Sequence, residues 1–253
     1  MGVKISILNQ KGGVGKTTTT INLASYLAKQ GSSVLIVDLD PQGNATSGIG
    51  IDKNNLTETM YDVLFDHESA PGIIMDTDFD GIQILPANTN LAGAEVQLVN
   101  VMQRELQLKN IVDKFDHDYV LIDCPPSLGL LTINALSASD FVLIPVQAEY
   151  YALEGLSQLL NVVERVQNTI NPKLSVMGVL LTMFDSRNSL SEQVKVELGK
   201  HFGNTLFTTV IPRNVRLAEA PSFGKPIAEH DKWSKGARAY KNLAKEVSQR
   251  VDR

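Results

Sequence analysis

The segment that decides the fold reads Lys11-Gly12-Gly13-Val14-Gly15-Lys16-Thr17-Thr18, and it follows the apolar run Val3-Lys4-Ile5-Ser6-Ile7-Leu8. Its three glycines allow the backbone to turn tightly and to bring several N–H groups against an anion. A helix that starts near Lys16 would add its positive N-terminal end. The segment therefore predicts a phosphate-binding loop between a strand and a helix.

The last residues of this loop predict a nucleotide with a metal ion. Lys16 can reach the terminal phosphates, and the Thr17 hydroxyl can hold Mg²⁺. The context of an apolar strand, a turn and an apolar helix distinguishes this loop from an ordinary glycine-rich turn. The strict pattern requires a glycine at Gln10, so the loop is a variant in which Lys11 is an additional cation. We assign nucleotide binding to Lys11, Gly12, Gly13, Val14, Gly15, Lys16, Thr17 and Thr18.

Composition restricts the class of protein. A chain of 253 residues with 43% hydrophobic content can bury a large core, and we expect one domain over residues 1–253. The apolar runs have the length of strands, so we expect no transmembrane segment, and the early first strand leaves no room for a signal peptide. A single cysteine, Cys124, excludes a disulfide framework within the chain. These features predict a cytoplasmic location.

Charge is distributed unevenly along the chain. The net charge is −5, but residues 232–253 carry seven basic and two acidic residues, which leaves −10 for residues 1–231. Such segregation is typical of a basic face on an acidic body. It argues against a protein that coats nucleic acid over its whole surface, and it allows a local binding patch.

Strands and helices are predicted to alternate. The strands are expected at 3–8, 33–38, 82–86, 118–123, 140–145, 175–182 and 206–211, and the helices at 16–30, 94–115, 152–170, 189–202 and 236–251. Most of the strands are short apolar runs, as expected where helices cover both faces of a parallel sheet. Residues 44–80 are the least regular and are expected to form a surface excursion. The pattern predicts an α/β fold with a doubly wound, mostly parallel sheet and ligands at the carboxyl ends of its strands.

Three aspartates stand where predicted strands end. Asp123 follows the apolar run 119–122, and a carboxylate there can accept a hydrogen bond from a Mg²⁺-bound water, as in a Walker B motif. The alternative is that Asp123 caps the next helix. Asp40 is placed to orient an attacking water, whereas Asp38 either acts at the site or is a buried partner of the loop lysine. We assign the metal site to Thr17, Asp40 and Asp123.

Together these motifs resemble the ParA/MinD group of P-loop ATPases. The resemblance rests on residues 11–18, on residues 38–44 and on the run Asp123-Cys124-Pro125-Pro126-Ser127. Further segments, at 128–138, 144–160, 178–185 and 210–221, are similar to chromosomal ParA proteins of the Soj type. The similarity covers almost the whole chain with several motifs in order, so it is highly specific. It implies a P-loop NTPase fold with a deviant Walker A motif.

The resemblance implies ATP and Mg²⁺ as cofactors and an ATP-bound homodimer that holds two nucleotides between two phosphate-binding loops. Lys11 matches the signature lysine that crosses to the phosphates of the partner's nucleotide, as a positive charge supplied in trans. Lys16 and Thr17 match residues that hold the phosphates and Mg²⁺, and Asp40 matches the residue needed for hydrolysis. The catalytic residues are thus Lys11, Lys16 and Asp40. Gly12 matches a position where a bulky side chain obstructs dimer closure.

The resemblance also assigns residues to the adenine base and to DNA. Pro212, Arg213 and Asn214 match the stretch that lines the adenine pocket. Arg187 and Arg216 match positions that bind double-stranded DNA without sequence preference in Soj-type proteins. Because dimerisation doubles such a patch, ATP would control DNA binding.

The last predicted helix offers weaker candidates for DNA binding. Lys235, Arg238 and Lys241 are basic residues of this helix, and the alternative is an ordinary solvated face. The buried face of the helix is predicted to consist of Trp233, Ala237, Tyr240, Leu243, Ala244 and Val247.

The resemblance implies a ParB-type centromere-binding protein as the partner that stimulates an otherwise slow hydrolysis. Three rival classes are less well supported. A MinD-like membrane-cycling ATPase needs a terminal amphipathic helix, and residues 246–253 offer no bulky apolar face. A cluster-carrying ATPase needs at least two cysteines per protomer. A small-molecule ligase would need a further reactive constellation that the sequence does not show. We therefore expect no membrane partner and a nucleoid-associated location.

Overall fold

The computed structural model describes residues 2–149 and 154–252, and a seven-stranded sheet forms its centre. The strands are β1 (Val3–Ile7), β2 (Val34–Asp38), β3 (Met75–Asp76), β4 (Ile82–Leu85), β5 (Tyr119–Asp123), β6 (Phe141–Gln147) and β7 (Ser175–Thr182). Their order is β3-β4-β2-β5-β1-β6-β7. Neighbouring strands are parallel, except that β3 runs antiparallel to β4. The predicted doubly wound, mostly parallel sheet is thus confirmed.

Helices precede or follow each central strand. They are α1 (Lys16–Ala28), α2 (Asn44–Gly48), α3 (Met60–Phe65), α4 (Ala70–Ile73), α5 (Ala94–Gln97), α6 (Gln107–Val112), α7 (Leu130–Ala138), α8 (Glu154–Thr169), α9 (Ser189–Phe202), α10 (Val215–Glu219), α11 (Ile227–His230) and α12 (Lys235–Val251). The predicted start of α8 at residue 152 lies outside the described residues, as does Arg253 at the end of the basic tail.

Two apolar layers cover the two faces of the sheet. Successive side chains of a strand point to opposite faces: Leu35 and Val37 pack in one layer, whereas Val34 and Ile36 pack in the other. The first layer includes residues of α6, α7 and α8, and the second includes residues of α1 and α12. Burial on both faces explains why the central strands show no regular alternation in sequence.

The register of three central strands brings their carboxyl ends to one edge. Ile7 of β1 and Asp38 of β2 both align with Asp123 of β5. The loop that follows β1 and the two aspartates therefore meet at the same edge of the sheet, where α/β folds bind their ligands.

Residues 206–211 do not form the predicted strand. Leu206 makes an isolated bridge to Val179, and the segment forms no continuous ladder. The backbone N–H groups of Thr208 and Thr209 instead donate to the carboxylate of Glu246 in α12, each at 2.9 Å. Glu246, which is distant in sequence, thus accepts two backbone N–H groups that a strand would need for its ladder.

Residues 94–115 do not form the predicted single helix. The segment divides into α5, a 3-10 turn at Leu98–Asn100, and α6. Between the turn and α6, Gln103 has a φ of 51°, in the left-handed region. A residue with a side chain in that region does not continue a right-handed helix, so periodicity alone overestimated the length.

Residues 44–80 are not only a surface excursion. They contain α2, α3, α4 and β3. Three residues of α3, Met60, Val63 and Leu64, are fully buried. Thr59 caps α3 by a capping box with Asp62, a local signal that the irregular hydrophobic pattern obscured.

The C-terminal helix α12 is anchored at its far end by Arg250. Its guanidinium donates to Met177 O (2.8 Å) and Leu206 O (3.0 Å) and stacks at 4.0 Å from the centroid of the Phe207 ring. It also forms an ion pair with Glu246 at 3.0 Å. Arg250 is therefore part of the fold, although the sequence counts it with the basic tail.

We expect Arg250→Ala to lower the free energy of unfolding by about 3 kcal/mol, since it removes several hydrogen bonds from a charged donor and a cation–π contact. Urea denaturation followed by circular dichroism measures this change. Lys245→Ala, at an exposed position of the same helix, is the matched control and should change stability by less than about 0.5 kcal/mol. Equal stabilities of the two variants would contradict the anchoring role.

Candidate nucleotide-binding site

The phosphate-binding loop connects β1 to α1 and leaves the first backbone donors of α1 available. Gly13 and Gly15 have φ values of 74° and 93°, in the region that favours glycine. Gly15 is the N-cap of α1 and makes no side-chain capping bond. The first N–H groups of α1 therefore remain available to an anion, as helix N-termini are in phosphate sites.

Two residues outside the predicted motif hold this loop in place. The Asn9 side chain donates to Pro145 O (2.7 Å) and accepts from the Lys11 N–H (2.9 Å). The Thr182 hydroxyl donates to Val14 O at 2.8 Å. Pro145 and Thr182 come from β6 and β7, so sequence inspection of the loop alone could not identify these contacts.

Lys16 places a buried cation beside the loop. Its side chain is almost wholly buried, and its ammonium donates to Lys11 O at 3.3 Å. Burial lowers the pKa of Lys16, while the negative charges of Asp123 and Asp40 oppose this change. A desolvated ammonium at the start of a helix is suited to bind the terminal phosphates of a nucleotide.

Thr17 and Asp123 form the centre of the candidate metal site. The Thr17 hydroxyl donates to Asp123 Oδ2 at 2.7 Å, and the Thr20 hydroxyl behind it donates to Oδ1 at 3.2 Å. Burial raises the pKa of Asp123, and repulsion from Asp38 raises it further. A cation beside Asp123 would relieve this cost. Hydroxyl and carboxylate oxygens are the ligands that Mg²⁺ prefers, with phosphates and waters completing its shell, so these residues fit that ion.

Asp123 does not cap the helix that follows. The N-cap of α7 is Gly129, and Leu130 is the first residue of this helix. The Glu95 carboxylate accepts the N–H groups of Leu130 and Leu131, at 2.8 and 3.3 Å. The capping role thus belongs to a residue of α5 that the sequence did not reveal.

Asp38 supports the loop that carries Asp40. It is fully buried and accepts from the N–H and the hydroxyl of Thr46, at 2.8 and 2.7 Å, and from the Asp40 N–H at 3.2 Å. Burial raises the pKa of Asp38. Its partner is therefore Thr46 rather than the loop lysine. Asp40 itself accepts from the Gln42 N–H at 2.9 Å.

The backbone carbonyl and the side-chain ammonium of Lys11 contact different residues. Its carbonyl accepts from Lys16, as described above, whereas its ammonium lies 2.6 Å from Glu149 Oε2. About half of each of these two side chains is exposed. Gln147 donates to the other oxygen of Glu149 at 2.5 Å. In the single protomer, the ammonium of Lys11 is thus bound by a surface carboxylate that follows β6.

A cavity of about 230 Å³ adjoins the loop, and it brings the predicted adenine segment to the nucleotide site. Its lining includes Gly15, Thr18, Met183, Pro212, Arg213, Asn214, Leu217 and Tyr240. The wall formed by Leu217 and Tyr240 is apolar and rigid: Tyr240 is fully buried and shares a hydrogen bond with Thr19 at 3.2 Å. Such a wall is suited to the flat face of a base.

The predicted DNA-binding residues are exposed. Arg187 is paired with Asp185 at 3.0 Å and Arg216 with Glu219 at 2.9 Å, whereas Lys235, Arg238 and Lys241 lie on the solvated face of α12. A cavity of about 570 Å³ is lined by Phe184, Lys235 and Arg238. Two of the α12 cations therefore lie close to the segment that leads to Arg187.

Trp233 does not belong to the buried face of α12. Its side chain is 81% exposed, because α12 begins only at Lys235 and Trp233 lies in the preceding turn. The other members of the predicted face are buried: Ala237, Tyr240, Leu243, Ala244 and Val247.

We expect Thr17→Val to weaken ATP binding about tenfold or more in the presence of Mg²⁺ and to change it little without Mg²⁺, because the variant loses the hydroxyl ligand. Titration of ATP with and without Mg²⁺ tests this. Thr20→Val is the matched control: it also removes a hydrogen bond to Asp123 but should retain the effect of Mg²⁺. An equal loss of this effect in both variants would contradict the assignment.

Comparison with known proteins identifies the family. A family model described as an AAA domain matches residues 2–176. The chain is 56% identical to the sporulation initiation inhibitor protein Soj of Bacillus subtilis, over 98% of this chain and 99% of that protein. It is 50% identical to the chromosome partitioning protein ParA of Myxococcus xanthus (99% and 89% covered) and 52% identical to the chromosome-partitioning ATPase Soj of Thermus thermophilus (98% and 96%).

Solved structures agree with this fold. Cobyrinic acid a,c-diamide synthase from Mycobacterium smegmatis, with bound ADP and magnesium, has a TM-score of 0.88 and 37% identity, over 100% of this chain and 96% of that one. The septum site-determining protein MinD of Pyrococcus horikoshii, complexed with Mg-ADP, has a TM-score of 0.78 and 26% identity (99% and 98% covered). Across the described part of the chain, no helix has the length and apolar character that crossing a membrane requires. ATP and Mg²⁺ are the cofactors, and the chain belongs to the ParA/MinD-type P-loop ATPases, within the group of Soj and ParA chromosome partitioning proteins.

Proposed function

We propose that this chain segregates chromosomes or plasmids as an ATPase that dimerises with ATP, binds DNA without sequence preference as a dimer, and returns to the monomer after hydrolysis stimulated by a ParB-type protein. The observation that carries the proposal is the position of the Lys11 ammonium. It is bound at the surface by Glu149, while Lys16 supplies the buried cation beside the protomer's own loop.

A transfer of Lys11 to a partner's nucleotide would cost little. Its pair with Glu149 is half-exposed, and such surface pairs contribute about 0–1 kcal/mol. A phosphate of the partner's nucleotide would be a stronger acceptor for the same ammonium. The nucleotide site would then be complete only when two protomers meet, which links ATP binding to dimerisation.

The surroundings of Gly12 support the same interface. Apart from its chain neighbours, a Cβ placed on Gly12 would have no atom of the described residues, 2–149 and 154–252, within 4 Å. Packing among these residues thus does not require a glycine there, although its position beside Lys11 would place it at the dimer contact. A close approach of the partner's backbone gives a physical reason for the residue.

Hydrolysis in the dimer would use groups that the sheet edge brings together. Lys16 and Lys11 would bind the phosphate oxygens on which charge develops, one from each protomer. Asp40, positioned by the turn to Gln42 and by Asp38, would orient the attacking water. Mg²⁺, held by the Thr17 hydroxyl and through a bound water by Asp123, would neutralise phosphate charge. With a lone carboxylate to position the water, we expect slow turnover without a stimulating partner.

Dimerisation would also control DNA binding. The affinity for duplex DNA depends on the number of phosphates that the protein neutralises. One protomer offers a few exposed cations, at Arg187, Arg216, Lys235, Arg238 and Lys241. Two connected patches bind with a strongly increased avidity. Arg187 and Arg216 are held by surface carboxylates, and phosphates could replace these partners at low cost.

We infer that the chain acts as one unit over residues 1–253, in the cytoplasm and at the nucleoid, without a membrane partner. The similarity to the diamide synthase structure supports the nucleotide site and not a second activity, because the relatives that share about half of the sequence are partitioning proteins.

We expect Lys11→Ala to bind ATP as a monomer, because the variant keeps Lys16 but loses the cation that reaches the partner. Light scattering coupled to size exclusion, with a non-hydrolysable ATP analogue, measures the mass. Lys29→Ala is the matched control, since Lys29 also forms a half-exposed pair, with Glu229 at 2.6 Å, and should still dimerise. Persistent ATP-dependent dimers of Lys11→Ala would refute the role in trans.

We expect the double variant Arg187→Ala/Arg216→Ala to dimerise with ATP but to bind duplex DNA at least about tenfold more weakly at moderate salt, because it neutralises fewer phosphates in both protomers. Fluorescence anisotropy of a labelled duplex measures the affinity. The control Lys109→Ala/Arg165→Ala makes the same change in charge on α6 and α8, on the opposite face of the sheet from α12. Unchanged DNA binding by the first variant, or an equal decrease in both, would count against the assigned face.

A further inference from the structure

Trp233, in the turn that precedes α12, is exposed, and the nucleotide site does not explain this exposure. It is the single tryptophan of the chain, and 81% of its side chain is exposed. A tryptophan can bury roughly 150–250 Å² of surface in a contact. Within residues 230–236 its neighbours are polar, charged or glycine, so its sequence neighbours offer the ring no apolar cover.

The turn that carries Trp233 is well braced. The Trp233 N–H donates to Asp231 Oδ1 at 3.1 Å, and the Ser234 hydroxyl donates to Asp231 O at 2.9 Å. Ser234 also accepts from the Ala237 N–H at 3.0 Å and caps α12. The indole is therefore presented on a fixed turn at the start of a helix, so binding would require little further ordering of the chain.

The same turn is connected to the predicted DNA-binding face. The second oxygen of Asp231 lies 3.6 Å from Arg216 Nε, so one carboxylate contacts both the Trp233 backbone and Arg216. Lys232 Nζ lies 5.4 Å from the centroid of the indole. Lys235, at the first turn of α12, is exposed. Trp233 thus stands among cations that a polyanion would bind.

The charge of the surrounding segment favours a polyanion over other occupants. Residues 210–241 contain seven basic and three acidic residues, within a chain of net charge −5. A membrane contact would require an apolar face of several residues, whereas the exposed apolar side chains of this segment, Val215, Phe223 and Trp233, are interspersed in sequence with its seven basic residues. Nucleic-acid-binding surfaces combine cations that contact phosphates with aromatic or apolar side chains, which stack on the bases of single strands or enter the minor groove of a duplex.

We propose that Trp233 is a DNA-contact residue whose indole packs against the sugars and base edges of a bound duplex, between phosphates held by Arg216 and Lys232. This rests on the proposed DNA binding of the ATP dimer. The contact adds affinity without releasing counterions, so it differs from the basic residues in its dependence on salt.

The single tryptophan allows a direct test in the chain of 253 residues. With a non-hydrolysable ATP analogue, a random-sequence duplex should quench the intrinsic Trp233 fluorescence as it binds, and the analogue alone should not. Trp233→Ala should weaken DNA affinity roughly five- to tenfold through the loss of an aromatic contact and leave the slope of log affinity against log salt unchanged. Lys232→Ala should instead reduce this slope by roughly 0.9 for each phosphate that the variant no longer neutralises. Trp233→Phe should recover most of the affinity.

The outcomes separate this inference from the function on which it rests. If the wild-type dimer binds DNA but its fluorescence and the affinity of Trp233→Ala do not change, the role of Trp233 is overturned and the DNA-binding function stands. If the ATP-bound wild type does not bind DNA, the proposed function is overturned, together with the inference that rests on it. Quenching by vesicles that contain phosphatidylserine, without quenching by DNA, would assign the ring to a membrane and overturn the inference. Size exclusion with the analogue confirms that Trp233→Ala still folds and dimerises.

Discussion

The carboxyl ends of β1, β2 and β5 are held level by their parallel register, and the rest of the site depends on this alignment. Asp38 and Asp123 occupy paired positions on neighbouring strands, and the phosphate-binding loop leaves β1 at the same edge. A shift by one residue would turn these side chains to the opposite face of the sheet. The two apolar layers fix the register, because residues such as Leu35 and Ile36 must each enter the correct layer.

The alignment brings buried ionisable groups together at one edge of the sheet, and a ligand of opposite charge would stabilise them. Burial raises the pKa of Asp38 and of Asp123, repulsion from Asp38 raises the pKa of Asp123 further, and burial lowers the pKa of Lys16. Each shift reflects an ion that has lost water and gained incomplete compensation. A bound nucleotide would supply negative charge to Lys16, and Mg²⁺ would supply positive charge to Asp123. Lys11 differs because its ammonium is compensated at the surface by Glu149, which leaves it free to exchange partners.

Local signals predicted much of this arrangement, and tertiary contacts account for what they missed. The loop, α1 and the strands that end in Asp38 and Asp123 follow from glycine spacing and apolar runs. Residues 206–211 do not form a strand, because the Glu246 carboxylate accepts backbone N–H groups of this segment. The contact of Lys11 with Glu149 joins segments that are 138 residues apart. Trp233 fitted a helical period but lies outside the helix, because Ser234 starts α12 after it. Each of these errors concerns a contact that periodicity does not encode.

The dependence of dimerisation on ATP tests the central proposal most directly. The variant Asp40→Ala should retain the loop and Lys11 while losing the group that orients water, so bound ATP should persist. Its mass is measured by light scattering with ATP and with ADP, in the presence of Mg²⁺. We expect a stable dimer with ATP and a monomer with ADP. A monomer under both conditions, or a dimer that forms without any nucleotide, would contradict a site that two protomers complete around ATP.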